Sequence, residues 1–65
     1  MTTEEVLKDY LKRDVEALDL HDAWFDANKN DVGAERLEAL ANHRRYLAVR
    51  VMLSARALTD VWRTP

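Results

Sequence analysis

Cysteine is missing from this 65-residue chain, and glycine and proline occur once each. The first absence excludes disulfide stapling and a cysteine nucleophile. The second argues against a turn-rich β fold and leaves Gly33 without the company a phosphate-cradling loop needs. Long apolar runs are absent as well. No stretch of about 18 apolar residues occurs, and no charged segment leads into an apolar one at the N-terminus, so a membrane span and a secretory signal are not expected. With no cysteine to protect, a cytoplasmic location is the expectation.

What remains is 48% hydrophobic and 34% charged, a composition that argues against disorder and for amphipathic helices. The net charge is only −2, but it is unevenly placed. Residues 1–31 carry nine acids and four bases, whereas residues 32–65 carry three acids and six bases. The two halves should attract each other, which favours an intramolecular pairing at least as well as it suggests a polyanionic partner, the chain as a whole being mildly acidic.

Helix signals open the chain. Thr2 and Glu5 have capping-box spacing, and Glu4 and Glu5 lie where a helix N-terminus favours negative charge. The pattern predicts a helix over about 3–28, with Val6, Leu7, Tyr10, Leu11, Leu18, Trp24 and Phe25 on one face. Asp14 and His21 fall inside that stripe and are expected to be at least partly buried. A break near Leu20-His21-Asp22, giving three helices, is the alternative.

A turn is expected over about 29–33, where the period lapses, with Asn28 or Asn30 ending the first helix and Asp31 capping the second. A second helix should then run over about 34–63, closed by Thr64-Pro65. At 1.5 Å per residue it spans about 45 Å, longer than the first helix, so it should overhang and carry Trp62 past the end of helix 1. Leu37, Leu40, Ala41, Leu47, Ala48, Val51, Ala55, Leu58 and Trp62 form its main stripe, with Arg44 on the same line. A second stripe of Ala39, Tyr46, Val49, Leu53 and Ala57 lies roughly opposite.

The fold class expected is therefore all-α: one antiparallel two-helix hairpin that dimerises into a four-helix bundle. One helix covers one stripe, so the second needs a partner. Tyr46, Val49, Leu53, Ala57 and Trp62 are the candidate protein interface. Asp14, His21 and Arg44 are the candidate buried polar cluster; a turn centred near residue 31 places Arg44 within reach of Asp14.

Chemistry is sparse. Asp26, Asn28 and Asn30 have the opening spacing of a calcium loop, but Asp31 stands where Gly is needed and Leu37 where a bidentate Glu is needed. His21 and His43 lack a third metal ligand at suitable spacing. Ser54 is eleven residues, about 16 Å, from His43 on the same helix, too far for a Ser–His pair within one chain. No catalytic residue, cofactor, metal or small-molecule substrate is expected.

Two macromolecular readings stay open beside a third, structural one. The first is a non-enzymatic adaptor or inhibitor that occupies a protein partner with the second face of helix 2. The second is a hairpin dimer binding RNA or DNA through Arg36, Arg45, Arg50, Arg56 and Arg63. In overall shape the expected hairpin resembles the small plasmid-encoded helical hairpins that dimerise and bind RNA loops, a resemblance of architecture that no motif carries. The third is a structural subunit of a larger assembly.

Overall fold

The computed structural model describes residues 1–63, which form two antiparallel helices: α1, Thr3–Asn28, and α2, Ala34–Arg63. No strand occurs among them. The Thr64-Pro65 stop signal lies outside the described residues.

Local chemistry accounts for the helix ends. Thr2 is extended and its Oγ1 accepts a hydrogen bond from the Glu5 N–H at 3.2 Å, satisfying one of the donors that a helix start leaves free. At the other end of α1, Asn28 turns its Nδ2 back to donate to the Trp24 carbonyl at 2.8 Å. The chain then tightens into a 3₁₀ turn over Lys29–Asp31. No described residue adopts a positive φ, so α1 ends by tightening rather than by the left-handed cap that Asn28 and Asn30 would tolerate. Gly33, not Asp31, stands immediately before α2, and its carbonyl takes the first helical bond from Leu37 N–H at 2.9 Å. α1 is continuous through Leu20-His21-Asp22, which removes the three-helix alternative.

The two helices face each other along residues spaced four and three apart: Leu7, Leu11, Asp14, Leu18, His21 and Phe25 on α1, and Leu40, Arg44, Leu47, Val51, Ser54 and Leu58 on α2. Such alternation keeps one seam facing a neighbouring helix over several turns. Cross-links between Glu4 and Trp62, Asp14 and Ser54, and Asp22 and Arg44 set the register. Residue n of α1 lies level with about residue 66 − n of α2. The hairpin's midpoint is thus near residue 33 rather than 31. This slip has two consequences: Arg44 is level with His21 and Asp22 instead of Leu18, and the extra length of α2 is absorbed beside the turn. Trp62 therefore does not pass the end of α1; it meets Glu4.

Little of this rod is buried. It measures 50 × 16 × 13 Å, and its radius of gyration of 15.1 Å compares with about 11 Å for a globular chain of this length. Leu58 is the one buried hydrophobic residue and Asp14 the one buried charge among the described residues. Leu37, Tyr10 and Trp24, expected on the core face, are exposed at 39%, 46% and 42%. Ala41, placed in the same stripe, is exposed too. No described helix is long and apolar enough to cross a membrane.

Candidate protein-docking faces

The polar groups within the seam divide differently from the expected Asp14, His21, Arg44 cluster. Asp14 is buried, and its Oδ2 accepts from Ser54 Oγ at 2.5 Å while Oδ1 lies 3.3 Å from Arg50 Nη2. Arg44 is about half exposed and does not meet Asp14. It makes a two-pronged contact with Asp22, Nε to Oδ1 at 2.8 Å and Nη2 to Oδ2 at 3.2 Å. The difference in register is the cause: a slip of about four residues, one turn, carries Arg44 from a place within reach of Asp14 to one beside Asp22. The contact holds the Asp22 carboxyl below its ordinary value and the Arg44 guanidinium above its own. Glu4 is likewise lowered, first by the Trp62 indole N–H that donates to it at 2.9 Å and then by Lys8.

His21 is the unsettled member. Its side chain is nine-tenths buried, both ring nitrogens lack a hydrogen-bond partner, and Nδ1 is 3.7 Å from Asp22 Oδ1, beyond bonding reach. The ring instead lies 5.4 Å from that of His43, which stacks in turn on Tyr46 at 6.3 Å. The two histidines, one on each helix, are brought together, but no group of three or more His, Cys, Asp or Glu able to hold a metal occurs among the described residues.

The hairpin has two unlike edges. On one, polar contacts tie the helices: Glu4, itself paired with Lys8 along α1, accepts from Trp62, and Asp22 pairs with Arg44. Beside them an open groove of about 560 Å³ runs between Phe25, Leu37, Leu40 and Ala41, with Asp26 and Arg44 at its margin. The opposite edge carries aromatic rings and arginines. Arg36 lies over Trp24 at 5.8 Å, Arg13 over Tyr10 at 5.0 Å, and Arg50 over Tyr46 at 5.8 Å. Arg13 and Arg50 flank Asp14 in a shallow depression that Leu53 and Tyr10 border.

Of the five interface candidates, Tyr46, Val49 and Leu53 are exposed at 55%, 40% and 60%. Ala57 is half-buried, and Trp62 is exposed but anchored to Glu4. The five arginines Arg36, Arg45, Arg50, Arg56 and Arg63 are all exposed. They do not act as one array: Arg36 and Arg50 are engaged on the aromatic edge, whereas Arg45, Arg56 and Arg63 follow a line more than a quarter turn away on the wheel. Sequence reasoning passed over Ser54, Asp22, Tyr10 and Arg13 as site residues. Ser54 carried a signal, because it stands three residues after Val51 and four before Leu58, at a core position.

No protein-family model matches the chain, and no curated protein or solved structure is significantly similar to it.

Proposed function

We propose that this chain is a non-enzymatic protein-interaction module, an adaptor or inhibitor, that binds through the apolar surface containing Tyr46, Val49 and Leu53 and closes as a homodimeric four-helix bundle. The observation that carries this reading is the exposed area. The chain presents 5270 Å² to solvent, against about 4,300 Å² for a folded monomer of 7.6 kDa. The surplus of roughly 1,000 Å² is comparable to the ~800 Å² that each partner contributes to a standard interface. A hairpin with one buried hydrophobic residue among its described residues gains from association what its own core lacks.

Molecular mass in solution tests it. The wild type is expected at twice the chain mass, and Leu53→Asp at the single-chain mass. An unchanged monomer in both would remove self-association and leave the surface to a foreign partner.

A second reading, binding of RNA or DNA, is favoured by the arginines laid over Trp24 and Tyr46, since rings and guanidiniums together make a stacking surface for bases. Arg50, however, is already matched by Asp14. That reading requires binding that collapses with added salt and is abolished by Arg36→Ala with Arg50→Ala. A structural subunit of a larger assembly would instead show growth beyond the dimer as concentration rises.

A further inference from the structure

We infer that the surface on which two copies meet is the aromatic edge of the hairpin, built from both helices, rather than the back of α2 alone; this rests on the reading above and names its seam. Each helix carries a second row spaced four and three apart, displaced by one residue from its core row. On α1 it is Val6, Tyr10, Arg13, Ala17, Leu20 and Trp24. On α2 it is Ala39, His43, Tyr46, Arg50, Leu53 and Ala57.

A one-residue displacement turns a row by about 100°. Because the helices run in opposite directions, equal displacements turn both second rows to the same side of the hairpin. The side-chain contacts agree: the rings of His21, His43 and Tyr46 run across that side, and the depression beside Asp14 joins Tyr10 to Leu53. Two adjacent rows per helix are what a four-helix bundle needs, one for the helix's own neighbour and one for the other hairpin. A helix that met only its partner within the chain would need one.

Composition points the same way. Tyr, Trp and Arg are the residues that dominate binding energy at protein interfaces. Arg–aromatic contacts occur about once per 70–80 residues in ordinary folds; three occur here, all on this edge. Leu20 is 71% exposed in the single hairpin and Leu53 60%; in their rows Leu20 stands one turn from the exposed Trp24, and Leu53 two turns from the exposed Tyr46. Ala17 leaves room for close approach at mid-row. The cations at mid-row, Arg13 and Arg50, flank the Asp14 carboxylate, and their long stems let the charged ends reach the rim.

The occupant is a second copy. The surplus area of one chain corresponds to half of a standard dimer interface, and an edge presenting both helices matches another hairpin presenting the same. The opposite edge is tied by Glu4–Trp62 and Asp22–Arg44 and offers no paired second rows.

Sedimentation equilibrium of the full chain decides it, with Leu20→Asp, Leu53→Asp and Met52→Asp beside the wild type and helicity followed by circular dichroism. Met52 is as exposed as Leu53 but points about 100° away from it. Leu20→Asp and Leu53→Asp should each raise the dimer dissociation constant by at least about a hundredfold, and Met52→Asp by less than about threefold. Loss of helix in Leu20→Asp but not in Met52→Asp supports the seam equally, because Leu20 contributes little to the single hairpin's core. A dimer broken by Leu53→Asp but untouched by Leu20→Asp would overturn the two-helix seam while leaving the proposed function standing. Equal effects of Leu20→Asp and Met52→Asp, or growth beyond a dimer, would also overturn it. A monomeric wild type would overturn both.

Discussion

Replacing Ser54 by alanine removes the shortest contact between the helices and leaves the buried Asp14 carboxylate with one partner in place of two. A hydrogen bond to a charged, buried acceptor contributes about 1.5–3 kcal/mol, and more of that is the desolvation cost of stranding the acceptor than the gain from the bond. Folded chains of this size have roughly 3–10 kcal/mol in total, so the loss is a large share. It should lower the melting temperature by roughly 10 °C. The same physics predicts an asymmetry. Asp14→Leu combined with Ser54→Ala removes both the charge and its donor, and Arg50, about half exposed, returns to water without being stranded. The double variant should therefore melt above Ser54→Ala alone and near the wild type, as replaced buried ion pairs often do. Thermal melts by circular dichroism at one fixed protein concentration read this directly, the fixed concentration removing any shift from association. A Ser54→Ala variant melting within about 2 °C of the wild type, or a double variant melting below it, would refute the assignment of Asp14 as a buried charge held by these two partners.

Two other changes follow from the cross-links and the turn. Glu4 and Asp22 are held below their ordinary values of 4.5 and 3.8, so each contributes stability that is complete above those values and lost as pH falls through its lowered folded value. Thermal stability should be level from neutral pH to about pH 5 and decline below it, with a shallower decline in Glu4→Gln and Asp22→Asn; an unchanged acid limb in both variants would count against the two contacts. Gly33→Ser should stabilise by about 0.5–1 kcal/mol, because a side chain there meets nothing within 4 Å, the backbone is not left-handed, and a hydroxyl before α2 can cap it. A melting temperature raised by roughly 3–6 °C is expected, and a fall would mean that the turn needs glycine after all.

The helices were legible because their signals are local. Thr2 and Glu5 are three residues apart, and apolar spacing reports a helical face without knowledge of what covers it. Exposure of Tyr46, Val49 and Leu53 followed from the same spacing. The pairing of Arg44 was not legible, because it depends on how many residues the turn consumes. The 3₁₀ turn over Lys29–Asp31 followed by Gly33 moves the midpoint by about two residues, and an antiparallel pair converts that into a slip of twice the amount, enough to exchange Asp14 for Asp22. Asp14 was marked as buried by its place in the stripe, yet its partner Ser54 was weighed only as a nucleophile. A small polar residue at a core position reads as an interruption until the facing carboxylate is in view.

The same geometry bears on why the chain tolerates so thin a core. A two-helix rod has no third layer, so each helix can bury only one row against the other, and here two of the twelve facing residues are buried outright. Of the polar members of those rows, Asp14, Arg44 and Ser54 fix the register, and these and His21 each occupy a place where leucine would contribute more area. A sequence selected for the stability of the lone hairpin would fill those places with leucine and thin out the second rows. This one does the reverse, keeping Tyr10, Leu20, Trp24, Tyr46 and Leu53 exposed on an edge that none of the described residues covers. In the proposed dimer, apolar area would act between molecules and polar specificity within one. Folding and association would then be one linked equilibrium, in which a partner that covers the second rows adds directly to the free energy that holds the first rows together.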